Sequence, residues 1–107
     1  MREIKKDKWF RDRQSTYVIL GIRCSRCGEE VLLYQKDGRG NLKRLYLNRI
    51  LAPENIASLQ DRVESVKGLI LLKCKCGSDI CIPMLHREGR LAFRLIPGSF
   101  TKHKERR

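Results

Sequence analysis

Cys24-Ser25-Arg26-Cys27-Gly28 and Cys74-Lys75-Cys76-Gly77 decide the fold of this chain. Two cysteines one or two residues apart sit on a single tight turn, which points both sulfurs to the same side. The glycine after the second cysteine suits a turn position with positive φ and leaves backbone N–H groups free to approach the sulfurs. Two such turns supply four thiolates, the donor set of a closed tetrahedral site for one structural Zn2+ ion. Four sulfurs leave no position for water or substrate, so the expected metal is structural and the chain is not expected to be an enzyme. No nucleophile–base pair, phosphate-binding loop or paired-carboxylate motif accompanies them.

The totals bound the rest. With 107 residues there is room for one domain, and the limited core of so small a domain makes a metal staple physically reasonable. The net charge of +12, from 24 basic and 12 acidic residues, calls for an acidic partner, nucleic acid before membrane. Five cysteines are an odd number, which argues against a secreted disulfide framework. The charged stretch Met1–Lys8 has no apolar run behind it and is not read as a signal peptide. Apolar runs such as Leu69–Leu72 are far too short to span a membrane. A reducing, cytoplasmic location follows as an expectation, since paired cysteines there read as metal ligands.

Along the chain, residues 1–14 read as a charged arm around Trp9-Phe10, solvated or carrying one short helix. Strands are predicted at 17–23, 31–35, 42–47, 69–73, 79–84 and 91–96 from their β-branched and apolar content. Lys36–Asn41 and His86–Arg90 read as hairpin turns. Pro53 opens a helix that Gly68 ends, with Ile56, Leu59, Val63 and Val66 as its apolar stripe. Residues 99–107 read as a mobile basic tail.

At this level the chain resembles the zinc-ribbon proteins, by two cysteine knuckles each entered by one strand and left by another. The likeness covers residues 17–96 and implies the ligands Cys24, Cys27, Cys74 and Cys76. Lys36–Arg49 is also similar to the glycine-rich turn and Leu-x-Arg-x-Tyr strand of small uncharacterised zinc-ribbon proteins, a likeness that brings no activity with it. Two departures stand out. The second knuckle is C-x-C rather than C-x-x-C, and residues 28–73 separate the knuckles, a gap whose closure cost grows only logarithmically with length. The expected fold is small α+β, mainly β with one helix: a ribbon over 15–98 with a hairpin–helix insert at 29–68. Cys81 reads as a core residue, with replacement of Cys74 as ligand the alternative. His86 and His103 read as turn and tail residues.

The bases cluster. Lys36, Arg39, Lys43, Arg44 and Arg49 face one acid, Asp37, and Arg87, Arg90 and Arg94 mark the last hairpin. Such clusters give sequence-independent affinity through counterion release. Tyr34 and Tyr46 lie among them and are read as stacking platforms, which suits RNA or single strands better than duplex readout. The expected function is nucleic-acid binding. A protein-interaction subunit of a larger nucleic-acid machine and a rubredoxin-like electron carrier are the alternatives.

Overall fold

The computed structural model describes residues 1–105, so the expected tail bases Arg106 and Arg107 lie outside the described residues. Two four-stranded antiparallel sheets form the body. The strands are β1 (Tyr17–Cys24), β2 (Glu30–Asp37), β3 (Arg44–Tyr46), β4 (Ile50–Ala52), β5 (Leu72–Lys73), β6 (Asp79–Leu85), β7 (Leu91–Leu95) and β8 (Phe100–Glu105). The first sheet runs β4-β2-β1-β8 and the second β3-β7-β6-β5. This is the small, mainly β α+β fold that the sequence predicts. Each cysteine knuckle is the connection of an antiparallel pair, β1–β2 in one sheet and β5–β6 in the other. Among the described residues no helix is long and apolar enough to cross a membrane.

Strand alternation builds the core. Leu20 lies opposite Tyr34 and Ile22 opposite Leu32 in the first sheet. Leu45 lies opposite Phe93, and Cys81 opposite Leu95, in the second. All eight belong to one buried cluster. Burying each large aliphatic side chain is worth about 1.5–3 kcal/mol. The continuous apolar runs in β1 and β2 have a further cause. Ile19 and Leu33 point to the other face, where they are buried with Leu51 under Ile4 of the N-terminal arm. A strand covered on both faces loses its polar alternation.

The arm is therefore docked, not solvated. The Arg2 N–H donates to the Leu51 carbonyl at 2.8 Å. The fully buried Gln35 accepts from the Lys5 N–H at 2.7 Å and donates to the Lys5 carbonyl at 2.8 Å. A short helix, α1 (Lys8–Asp12), follows, with the Asp7 side chain accepting from Phe10 N–H at its start and Phe10 buried against Tyr17. Asp7 also receives two hydrogen bonds from Arg49, at 2.5 and 3.1 Å, while Arg49 Nε reaches Asp37 at 2.7 Å. Arg49 is only 1% exposed. A bidentate guanidinium between two carboxylates is how a charge tolerates such burial.

Four expectations are corrected. Lys36–Asn41 is not a hairpin turn, because β2 pairs with β4 and β3 with β7. Gly38 N–H closes on the Thr16 carbonyl at 2.9 Å, finishing the β1–β2 pair, and the chain then crosses to the second sheet. The helix expected over 53–68 is broken into α2 (Glu54–Ala57), α3 (Leu59–Arg62) and a 3-10 turn at Val66–Gly68. Val63 has extended backbone angles, so the helix stops before it, yet Ile56, Leu59 and Val63 still pack on the core by this bent path. The strand expected over 69–73 is only the two residues of β5. The tail is a strand: β8 pairs with the open edge of β1, from Cys24 opposite Phe100 to Ile19 opposite Glu105.

Replacing Arg49 with Met is expected to lower stability by about 3 kcal/mol, the low end for breaking a buried pair, because Asp7 keeps some access to water. A urea titration measures it. Burial alone raises the Asp7 carboxyl, but hydrogen bonds from Arg49 and the Phe10 N–H outweigh it and hold the carboxyl below its ordinary 3.8. Wild type therefore keeps this contribution above that pH and loses it only as pH falls through the lower native value. The Arg49→Met protein lacks it throughout, so its acid limb should be flatter.

Candidate metal centre and basic cavity

Cys24, Cys27, Cys74 and Cys76 meet at one end of the two sheets, with all four sulfurs within 4.8 Å of one another. Cys24 Sγ lies 3.7 Å from Cys76 Sγ, and Cys27 Sγ lies 3.5 Å from Cys74 Sγ. A disulfide needs about 2.05 Å. A tetrahedron of sulfurs with metal bonds of about 2.3 Å has edges of about 3.8 Å, close to what is seen. Cys24 and Cys74 are buried while Cys27 and Cys76 are exposed, so each knuckle contributes one inner and one outer sulfur. Cys81 is fully buried outside this cluster, and burial pushes its thiol up to about 12. Cys74, not Cys81, completes the set.

The two knuckles solve the same problem with different lengths. In the first, Gly28 N–H donates to the Cys24 carbonyl and Cys24 N–H to the Glu29 carbonyl, both at 2.9 Å. In the second, Gly77 N–H donates to the Cys74 carbonyl and Cys74 N–H to the Ser78 carbonyl, again at 2.9 Å. The C-x-C spacing thus closes the same bonded loop one residue sooner. Gly28 and Gly77 have φ of +80° and +94°, and a Cβ on either would touch nothing within 4 Å. Backbone conformation, not space, is what asks for glycine there.

The electrostatics favour a cation. Hydrogen bonds from the Ser78 hydroxyl and N–H pull the Cys76 thiol down to about 6. The Cys27 N–H, opposed by burial and assisted by the Arg26 N–H, holds Cys24 below its ordinary value. The Glu29 N–H pulls Cys27 down too, but the neighbouring Cys74 sulfur and burial override it, and Cys27 is pushed up to about 12. Four adjacent thiolates cannot all ionise alone. A bound cation removes that conflict and releases the remaining protons.

At the far end of β6 and β7 a second feature forms. A cavity of about 260 Å³ opens between α1, β3 and the turn after β6. It gathers most of the bases singled out in the sequence: Lys36, Lys43, Arg44, Arg87 and Arg90 line it, with Tyr46. Arg90 stacks on both Trp9, at 4.1 Å, and Tyr46, at 3.7 Å, and Tyr46 meets His86 edge-on at 5.5 Å. Trp9 Nε1 donates to Glu88, and Lys8 pairs with the same carboxylate at 3.1 Å, so the arm pins the turn. Arg94 lies directly opposite Arg44 on the neighbouring strand. Arg39 is exposed in the crossing loop, its carbonyl accepting from Arg13.

Two expected residues do not serve as expected. The Tyr34 ring is buried and its hydroxyl accepts the Tyr46 N–H at 2.9 Å, so it has no free face for a base. Arg49 is committed to Asp7 and Asp37 and forms part of the cavity wall as a structural cation. Conversely, Trp9, Arg13 and His86 line the cavity, although none of them was assigned a binding role from sequence. The lone tryptophan amid charges was a usable signal for the first; nothing local marks the other two.

Comparison of the chain with protein-family models, with curated proteins and with solved structures finds no match.

Cys76→Ser is expected to abolish metal binding and loosen the fold together, read by metal analysis and thermal melting. Cys81→Ser should keep its metal and lose only about 1–3 kcal/mol, the cost of a buried hydroxyl. Gly77→Ala should keep its metal and lose about 1 kcal/mol, a purely conformational cost.

Proposed function

We propose that the chain is a zinc-stabilised module that binds nucleic acid, with RNA or single strands preferred to duplex DNA. Zinc is the ion we assign to the four sulfurs, since a closed all-thiolate tetrahedral site suits it and a scaffold needs no redox chemistry. Its role is to join two knuckles, not to react, and no catalytic step is assigned to any residue.

The observation that carries the binding role is the convergence of cations and aromatic rings on one cavity, where the bases outnumber the three acids of the lining, Asp12, Asp37 and Glu88. Among the described residues, Lys36, Lys43, Arg44, Arg87, Arg90 and Arg94 have no carboxylate partner. Of the acids in the lining, Asp37 is engaged with Arg49 and Glu88 with Lys8, which leaves Asp12 against all of these bases. Like charges directly across a strand pair, as Arg44 and Arg94 are, cost up to about 1 kcal/mol. An anion between them turns that cost into a gain. Phosphates spaced along a strand meet this need, and half-buried Tyr46 adds a ring beside them.

A second reading, docking onto a protein of a larger nucleic-acid machine, draws on exposed apolar residues: Ile70, Ile82 and Leu85. Ile82 lies opposite Arg94, so the same face would serve both.

A salt titration of binding to single-stranded RNA, single-stranded DNA and duplex DNA tests the reading. Affinity should fall steeply with salt for all three and be strongest for single strands. Arg44→Ala with Arg94→Ala should weaken binding to every sequence and reduce the salt slope by about one for each phosphate no longer neutralised. Absence of binding at low ionic strength overturns the reading in favour of protein docking. Metal analysis of the purified protein decides between zinc and iron.

A further inference from the structure

We propose that the cavity between α1, β3 and the β6–β7 turn is a mononucleotide pocket, taking one unstacked nucleotide with its base against the Tyr46–His86 wall and its phosphate on Arg44 and Arg87. This rests on the nucleic-acid reading above for its natural ligand, a single strand, but the pocket makes a claim of its own.

The argument begins with size. About 260 Å³ is more than a phosphate fills and falls just below the roughly 300–1,000 Å³ of drug-sized ligand pockets, room for one nucleotide only if part of it stays outside. The walls have two chemistries. One is a layered stack in which the Arg90 guanidinium joins the Trp9 and Tyr46 rings and His86 meets Tyr46 edge-on. A planar base extends such a stack in the way that unpaired bases settle on aromatic and guanidinium planes. The other is a rim of exposed or half-exposed cations, Lys43, Arg44 and Arg87. Arginine's planar fork is suited to phosphate oxygens.

The stack is also held in place before any ligand arrives. Arg90 donates to Asn48 Oδ1 at 3.0 Å, Trp9 is fixed through Glu88, and Tyr46 N–H is held by the Tyr34 hydroxyl. A pre-ordered site loses little entropy on binding. The excess of positive charge is felt at His86, which burial first, then Arg44, Arg87 and Arg90, hold below its ordinary value. Asp12 also lines the cavity and is the one acid there without an ion-pair partner among the described residues. It is the last residue of α1.

The test uses the metal-loaded full chain. Trp9 is the only tryptophan and belongs to the pocket wall, so its fluorescence, excited at the red edge and checked by calorimetry, reports binding. Uridine monophosphate and adenosine monophosphate should saturate the signal, at concentrations about tenfold or more below inorganic phosphate, as expected from one stacked base. Uridine without phosphate should bind far more weakly. Arg87→Gln, on an exposed turn, should weaken both nucleotide and phosphate. Tyr46→Leu should weaken the nucleotides and leave phosphate unchanged, with metal content and circular dichroism confirming its fold.

If single-stranded RNA binds but neither variant changes it and mononucleotides give no saturable response, the pocket is overturned and the general reading stands. If mononucleotides bind and RNA does not, the pocket stands and the general reading falls. If phosphate matches the nucleotides and Tyr46→Leu changes nothing, the cavity is a plain anion site and the proposal fails.

Discussion

Four sulfurs held within 4.8 Å of one another are stable together only around a cation or with their protons kept on. That constraint organises the molecule. The two knuckles belong to different sheets, residues 29–73 lie between them in the chain, and the sulfurs meet where the sheet ends converge, at the place where a metal ion would tie them. A domain of this size removes a smaller share of its surface from water than a larger one, so a cross-link between its layers weighs heavily. The knuckle bonds explain how it is built: each loop satisfies its own backbone and delivers its sulfurs already paired, so that only one long-range closure remains.

The second organising contact is Arg49. It is as buried as any aliphatic in the core, yet it holds Asp7 of the arm and Asp37 at the end of β2. Through Asp7 it fixes the start of α1, and α1 carries Trp9 over Arg90. A charge with no access to solvent thereby sets the position of a half-exposed aromatic wall. Committing two carboxylates to Arg49 has a further effect: among the described residues, neither forms an ion pair with Lys36, Arg44 or Arg90.

This division also explains what could be read from the chain. The knuckles were legible because their signal is local: cysteine spacing and the following glycine describe one turn each. Strands β1, β2, β6 and β7 were legible for the same reason, through runs of β-branched and apolar residues. The burial of Tyr34 and Arg49 was not, since it depends on β4 lying beside β2 and on the arm closing from outside. In sequence both sit among bases and look like members of a surface cluster. The strand β8 was hidden because Phe100–Glu105 is mostly polar and becomes a strand by pairing with β1, not by its own preference. The crossing after Asp37 was misread because Asp-Gly signals a reversal without saying which sheet receives the chain.

The metal centre and the cavity sit at opposite ends of β6, a strand of seven residues spanning roughly 23 Å. One bound group cannot touch both, so any coupling between the four sulfurs and the cavity must run through the scaffold. The route is short. Cys74–Gly77 leads into β6, β6 pairs residue for residue with β7 from Cys81 opposite Leu95 to Leu85 opposite Leu91, and the turn between them presents His86, Arg87 and Arg90. Freeing the knuckle end releases β5 and the start of β6. The turn end is separately secured by Trp9 and Lys8 on Glu88 and by Arg90 on Asn48. Two anchors at opposite ends of one hairpin thus guard different things: the sulfurs guard the sheet, and the arm guards the basic wall.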